Sequence, residues 1–410
     1  MTFGLLGRKL GHSYSPQIHS YLADYSYVLF EKEPEELNTF FANPVFQGIN
    51  VTIPYKKTVI PYCAELSERA RMLGAVNTIV RRSDGTLIGH NTDHFGFTYM
   101  VKQSGLQVCG KKALVLGSGG ASVTAVAVLK EMGAQVIVIS RNGDDNYSNL
   151  ERHSDAAVIV NATPVGMYPN TGVAPLDLSI FPSLEGVLDM IYNPARTKLL
   201  LDAEAKGIVA ENGLWMLIAQ AKESAEWFLG DLIPDEIILM IYRKLRRQME
   251  KIVLVGMPGC GKSHIGKLLA HILCKDFVDA DAVVTELAGK SIPDIFAEYG
   301  EETFRAWETK ALAQLGKASG TVIATGGGCV TRQENYPLLH QNSTIVWLQR
   351  ELDDLPMDGR PLSQAGKLET MYQVRRPLYE RFADLTVVND TTPEAVAQKV
   401  CQLLTEEVNQ

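Results

Sequence analysis

Gly256-Met-Pro-Gly-Cys260-Gly-Lys262-Ser263 sets glycines, a lysine and a hydroxyl in the spacing GxxxxGK[ST], after the apolar run KIVLV and before the helical pattern HIGKLLAHIL. In that context Gly256, Gly259 and Gly261 let backbone N–H groups, that of Cys260 among them, wrap phosphate oxygens. Lys262 neutralises those oxygens and Ser263 ligates the magnesium that accompanies ATP. A different glycine turn stands at Gly117, Gly119 and Gly120, followed by Ala121, within KKALVLGSGGASVTAVAVLKEMGAQVIVISRN at 111–142. Strand, turn, a helix ended near Gly133 and a second strand make a dinucleotide βαβ unit, with the pyrophosphate expected at the helix N-terminus. The second strand ends in Ser140-Arg141-Asn142. An acid there would bond a ribose 2′-hydroxyl, whereas arginine accepts a 2′-phosphate, so Arg141 favours NADP(H) over NAD. Asp144 and Asp145 follow closely and make that preference a modest one.

Two nucleotide turns need two sets of strands to carry them. KALVLG, QVIVIS, AAVIVNA and GVLDMIY, then KIVLVG, TVIATGGG and STIVWLQ, alternate with helical patterns, which predicts parallel sheets covered by helices. PDEIILMIYRKLRRQME at 234–250 opens with proline, keeps helical apolar spacing and closes on basic residues suited to a helix C-terminus. The strand KIVLV follows at once, which places a domain boundary at about residue 250 with almost no linker. No period of 20 to 50 residues repeats, which excludes a solenoid.

Bulk properties agree with a packed enzyme. The chain has 410 residues, 46% hydrophobic and 21% charged, more than one ordinary core accommodates. A net charge of -8 and a single short basic cluster, Arg243 to Arg247, argue against nucleic acid as a partner. No apolar run approaches the roughly 20 residues that span a bilayer. Six cysteines without CxxC or regular spacing, and an N-terminus without a signal pattern, lead to the expectation of a reducing cytoplasm.

Beyond the phosphate loop stand FVDAD (277–281), FRAWE (304–308), TGGG (325–328), DGRPL (358–362) and RRPLYERFAD (375–384). In this order they resemble shikimate kinase over essentially all of 251–410. The resemblance implies magnesium-dependent transfer of the ATP γ-phosphate to the 3-hydroxyl of shikimate. It implies that Asp279 helps to hold magnesium through water and that Asp281 binds and orients the attacking hydroxyl. Arg305 and Arg375 would grip the substrate carboxylate with planar forks. Gly326, Gly327 and Gly328 would bring backbone amides to the ring, and Arg360 would reach the phosphates from the lid. The segment from Leu348 to Arg360 departs from the family, being shorter and more acidic than the usual lid, with no second lid arginine. Taken singly, Asp279 and Asp281 also fit an ordinary loop after a strand, and Arg305 with Glu308 a surface i,i+3 pair.

Ahead of residue 250, GHSYSPQIH (11–19), INVTIPYKK (49–57), GAVNTIV (74–80), GHNTDHFGF (89–97), NATPVGM (161–167), DMIYNPARTKLL (189–200) and NGLWMLIAQA (212–221) together resemble shikimate dehydrogenase. That family would make residues 1–250 a two-lobed α/β dehydrogenase. Residues 1–100 with 214–250 would form the substrate lobe, and 101–213 a Rossmann-like NADP lobe. A P-loop kinase domain would occupy 251–410. Hydride delivery to a ketone leaves an alkoxide, so a proton donor must stand beside the oxygen. By motif match Lys56 and Asp93 are that catalytic pair, and sequence leaves open which of them moves the proton. Ser13 and Ser15 would take the substrate carboxylate, and Thr52, Asn77, Asn91 and Gln220 its hydroxyls or carboxylate. Asn161, Thr163 and Gly213 would line the cofactor, with Tyr192 at the substrate edge.

Other readings remain in view. An exposed lysine at a strand end is the bland account of Lys56. His90, Asp93 and His94 in HNTDH invite a metal, though a further strong ligand is not evident. His12, Ser13 and Ser15 sit close together as in a hydrolase but lack the GxSxG elbow. Quinate with NAD is the competing substrate pair, and a nucleotide sensor without turnover is the competing class. Sequence gives no oligomeric state.

Overall fold

The computed structural model describes residues 2–11, 13–317, 319–355 and 365–409, with backbone alone at 365–367 and 407–409. The chain divides into two compact units, Met1–Lys244 and Leu245–Gln410. The division falls inside one helix, Glu236–Met249, a few residues ahead of the boundary expected at 250. Glu250 alone separates that helix from the next strand, so helix propensity carries the chain straight through the change of core.

The first unit holds two sheets. Strands β1 (Thr2–Gly7), β2 (Ser26–Glu31), β3 (Gly48–Val51), β4 (Glu65–Leu66), β5 (Thr78–Arg81) and β6 (Leu87–His90) form a sheet in the order β2-β1-β3-β5-β6-β4. It is mixed rather than parallel, since β3 pairs with β5 and β5 with β6 antiparallel. The reason lies in Arg-Arg-Ser-Asp-Gly between β5 and β6. Arg82 exchanges backbone bonds with Thr86 and Gly85, closing a tight hairpin that a helix crossover would not allow. Strands β7 (Lys112–Leu116), β8 (Gln135–Ile139), β9 (Val158–Asn161), β10 (Gly186–Asp189) and β11 (Val209–Asn212) form the second sheet, β11-β10-β9-β7-β8, all parallel. Its central strands are covered on both faces, which explains their unbroken apolar runs. The order reverses between β7 and β9, and ligands of such sheets bind at the carboxyl ends of the strands there. After β11 the chain returns as helix Leu214–Leu229, packed closely on helix Asp93–Gln103. A Cβ at Gly96 would lie 2.9 Å from the Cβ of Gln220, so the small residue sets that approach.

The second unit is built on β12 (Lys251–Val255), β13 (Asp276–Asp279), β14 (Thr321–Ala324), β15 (Ser343–Gln349) and β16 (Leu385–Val388). They run parallel in the order β13-β14-β12-β15-β16. Ile252 to Val255, Val322, Ile345 and Val346 form the centre of its core. Among the described residues no helix is long and apolar enough to cross a membrane.

In the first unit, His19 is buried against Tyr27, with ring centroids 4.0 Å apart, and its Nδ1 lies 2.6 Å from the Tyr25 hydroxyl. Burial pulls its pKa down to about 3. Between pH 6.5 and 3 the unfolded chain therefore takes up a proton that the folded chain refuses, and stability falls as pH falls through that window. The difference amounts to about 5 kcal/mol at its acid end. A His19→Phe variant is expected to lose melting temperature less steeply than the wild type between about pH 6.5 and 4. Equal slopes in calorimetry would refute the assignment.

Candidate active sites

Asp93 opens helix Asp93–Gln103, where the positive end of the helix dipole favours a carboxylate. Lys56 follows β3, and its carbonyl accepts from the Val76 amide at 2.7 Å, which holds it beside the start of β5. Lys56 Nζ donates to Asp93 Oδ2 at 2.6 Å, and Asn77 Nδ2 donates to Asp93 Oδ1 at 3.1 Å. The Asn77 amide is oriented by the Thr92 N–H, which donates to its Oδ1 at 2.7 Å. Gln220 Oε1 lies 3.5 Å from the same Asn77 Nδ2. Lys56, Asp93, Asn77 and Gln220 thus form one bonded group, drawn from a loop, a helix start, the bend just ahead of β5 and the returning helix. The Lys56 side chain is 27% exposed and that of Asp93 11%, so the pair borders solvent without being dissolved in it. An isolated surface lysine does not describe Lys56.

The other candidates of the first unit are held by contacts of their own. Ser13 Oγ accepts from the Ser15 amide at 3.2 Å, ahead of helix Ser15–Leu22. Ser15 is buried and bonds Tyr27. Thr52 hangs from the Leu6 carbonyl through its own N–H at 2.9 Å. Asn91 is buried and donates to the Ala75 carbonyl at 2.9 Å. Tyr192 meets Tyr14 edge to face at 6.1 Å, and burial raises its phenol pKa. His90 stacks on Trp227 with centroids 3.7 Å apart, and His94 bonds Glu131 at 2.9 Å, so neither ring turns to Asp93 as a co-ligand.

In the second sheet the turn after β7 carries Gly117 at φ 105°, against which Thr163 and the Ala162 carbonyl press. Gly119 and Gly120 face open space, and Gly120 with Ala121 starts helix Gly120–Glu131. That open, amide-lined helix start fits a pyrophosphate. Arg141 is exposed just beyond β8. The Asp145 carboxylate, a rival for the ribose, instead takes a bond with His153 Nε2 at 2.8 Å. Gly213 abuts the Met190 carbonyl so tightly that no side chain fits. Asn161 differs from expectation. It is fully buried, its Oδ1 accepting from the Thr163 N–H (3.1 Å) and hydroxyl (2.7 Å), its Nδ2 donating to Asp189 at 3.0 Å. These bonds turn its side chain inward and hold the Thr163 segment.

The second unit has a cleft of about 390 Å³ lined by Lys262, Ser263, Asp279, Asp281, Arg305, Gly326, Gly327, Gly328 and Arg375, all expected from sequence. Gly256, Gly259 and Gly261 have φ of 144°, 86° and 96°, a curl closed to residues bearing a Cβ. The Cys260 side chain is buried, and its carbonyl accepts from Asn389 at 2.7 Å, so only its backbone can serve phosphate. Lys262 Nζ donates to the Gly256 and Met257 carbonyls at 2.9 and 3.0 Å. Ser263 Oγ donates to Asp279 Oδ2 at 2.7 Å, and Asp279 Oδ1 caps helix Ala280–Ala288 through the Asp281 N–H. A hydroxyl and a carboxylate side by side fit magnesium, which keeps most of its other positions for water and phosphate. Arg360 lies outside the described residues.

Sequence reasoning treated Arg305 with Glu308 as a possible surface pair, and the structure buries both. Arg305 Nη1 donates to Glu308 Oε2 at 2.8 Å and its Nη2 to Glu301 at 2.9 Å. Glu308 is 1% exposed, and burial raises its pKa. The three glycines are fitted around these groups: a Cβ on Gly326 would meet Glu308, on Gly327 Pro258, and on Gly328 the Arg305 guanidinium. Arg375 Nη1 donates to the Gly327 carbonyl at 3.2 Å, as does the buried Tyr379 hydroxyl. Glu308 and Tyr379 carried a sequence signal only in their helical spacing from Arg305 and Arg375.

Fold and sites define an α/β enzyme that joins a dinucleotide-dependent dehydrogenase to a P-loop phosphotransferase. Residues 5–79 match the family model of the shikimate dehydrogenase substrate binding domain, and 258–405 that of shikimate kinase. The shikimate dehydrogenase (NADP(+)) of Clostridium perfringens strain 13 is 32% identical over 266 residues, covering 60% of this chain and 98% of its own. A crystal structure of shikimate dehydrogenase 1 from Peptoclostridium difficile shares 38% identity at a TM-score of 0.56, covering 60% of this chain and 97% of its own. The shikimate 5-dehydrogenase of Thermus thermophilus, solved with NADP(H) and shikimate, shares 31% at 0.55, covering 60% and 99%. The chain belongs to the shikimate dehydrogenase family, with a shikimate kinase domain following in the same polypeptide.

Proposed function

We propose that the first unit reduces 3-dehydroshikimate to shikimate and that the second phosphorylates the 3-hydroxyl of that product, two consecutive steps toward aromatic amino acids. The bonded group Lys56–Asp93–Asn77 carries the first assignment, and the cleft joining Lys262, Ser263, Asp279, Asp281, Arg305 and Arg375 carries the second. NADPH supplies hydride to the first site when bound, and magnesium ATP supplies the phosphoryl group to the second. Lys56 places an ammonium proton at the carbonyl oxygen where negative charge develops, while Asp93, held by Asn77, keeps that ammonium in position and bonds the neighbouring hydroxyl. The glycine turn at 117–120 receives the pyrophosphate, and Arg141 the 2′-phosphate.

In the second unit the loop amides and Lys262 hold phosphate, Ser263 and Asp279 hold the metal, and Asp281 orients the acceptor hydroxyl for in-line transfer. Arg305 and Arg375 take the substrate carboxylate. Arg305 is already fixed by Glu308, so its fork is set before the ligand arrives. All six cysteines are unpaired, which supports placing the enzyme in a reducing cytoplasm.

Supplying 3-dehydroshikimate, NADPH, magnesium and ATP should yield shikimate and then shikimate 3-phosphate. Failure to form either product removes the corresponding assignment, and faster turnover of quinate with NAD replaces the first. Gly328→Ala tests the carboxylate grip: its methyl displaces the Arg305 guanidinium, and the KM for shikimate should rise about tenfold, the loss expected for one charge-assisted hydrogen bond. The KM for ATP should stay near wild type, and an unchanged shikimate KM would show that Arg305 does not hold the substrate.

A further inference from the structure

Asp189 is a carboxylate with no exposed surface at the end of β10, and none of the roles above uses it. Its Oδ1 accepts twice, from Asn161 Nδ2 at 3.0 Å and from the Ile191 N–H at 3.0 Å. Its Oδ2 accepts from the Thr197 hydroxyl at 2.7 Å. Burying a carboxylate this deeply is costly unless the interaction does something that an apolar residue could not.

The two Oδ1 bonds lead to two separate segments of the proposed dinucleotide site. On one side Asn161 grips Thr163 through its N–H and hydroxyl, and Thr163 packs against Gly117, the first glycine of the turn. On the other the Ile191 carbonyl accepts from the Gly213 N–H at 3.0 Å. An asparagine amide can turn over, and acceptor-only neighbours forbid it: with Nδ2 facing Asp189 at 3.0 Å and, less closely, the Val165 carbonyl at 3.3 Å, Oδ1 must face Thr163. One carboxylate oxygen therefore sets both the amide that holds the Thr163 loop and the strand end that holds Gly213.

We propose that Asp189 is a positioning residue for the NADPH site, acting through Asn161 on Thr163 and Gly117 and through Ile191 on Gly213. It touches no ligand and no reacting atom. The proposal rests on the reading of this lobe as an NADPH site and adds a residue to it.

NADPH fluorescence titration of the full chain, with steady-state kinetics, tests it. Asp189→Ala should weaken NADPH binding about tenfold, the loss of two buried acceptor bonds, while the KM for 3-dehydroshikimate changes less than about twofold. Asp189→Asn keeps an oxygen for Asn161 and Ile191 and should bind NADPH within about twofold of wild type. Asn161→Ala should weaken binding like Asp189→Ala, and the double variant should be no weaker than the weaker single one, because both break one chain of contacts. If Asp189→Ala does not fold, Asp189→Ser, too short to reach either donor, is measured in its place with the same expectations. Wild-type affinity in the alanine or serine variant, additive losses in the double variant, or an asparagine variant as weak as alanine would each overturn the role. Absence of NADPH binding by the wild-type protein would instead overturn the functional reading of the lobe.

Discussion

Lys56→Ala is expected to lower kcat for reduction of 3-dehydroshikimate by about three orders of magnitude, within the range for loss of a positioned proton donor. In free energy that is about 4 kcal/mol of barrier. The structure shows why the loss is large and local. Lys56 Nζ stands 2.6 Å from Asp93, whose other oxygen is already taken by Asn77, so Asn77 does not take over as a proton source. Removing the ammonium also leaves Asp93 without its cation in a site only partly open to water, which repels the developing alkoxide. NADPH binding should persist, since the glycine turn and Arg141 are untouched. Phosphorylation of added shikimate should proceed at the wild-type rate, because none of its groups lies in the first unit. Reduction at more than about a tenth of the wild-type rate would move the proton-donor role away from Lys56.

The sequence made much of this readable because parallel sheets buried on both faces spell themselves out as apolar runs, and because both nucleotide turns need glycines in fixed places. KALVL, KIVLV and STIVWLQ all became central strands. The first sheet was less legible. Its strands are of two to six residues, and the hairpin after Arg81 makes β5 antiparallel to β6, which only the Ser-Asp-Gly turn announces. In the sites, spacing identified which residue types were present, whereas burial decided what they do. Arg305 and Glu308 look alike as a solvent pair or an interior one, since both need only i,i+3 spacing. Asn161 reads as a ligand residue from its motif, yet its bonds to Thr163 and Asp189 turn it inward. Asp189 opens the motif DMIYNPARTKLL but carried no role from it, because nothing in a strand-end aspartate reveals how many donors will converge on it.

Lys262→Ala should lower kcat for shikimate phosphorylation by at least about two orders of magnitude, the scale of losing a preorganised charge from a phosphoryl-transfer site. Lys262 is buried at the mouth of the loop, and among the described residues its ammonium bonds the Gly256 and Met257 carbonyls and the Cys260 sulfur. These are contacts that phosphate oxygens can replace without moving the backbone. The positive-φ glycines and the Asn389 bond to the Cys260 carbonyl hold the curl independently of the lysine, so the loop should survive its removal. ATP should consequently still bind, more weakly, while transfer falls. The arginine substitution should not restore it, because a planar fork does not reproduce a compact ammonium in this enclosed position. Reduction of 3-dehydroshikimate by the same variant should match wild type, the reverse of the Lys56→Ala pattern. A wild-type chain that binds magnesium ATP but transfers nothing to shikimate would favour the nucleotide-sensor reading, and equal transfer by wild type and Lys262→Ala would remove Lys262 from the chemistry.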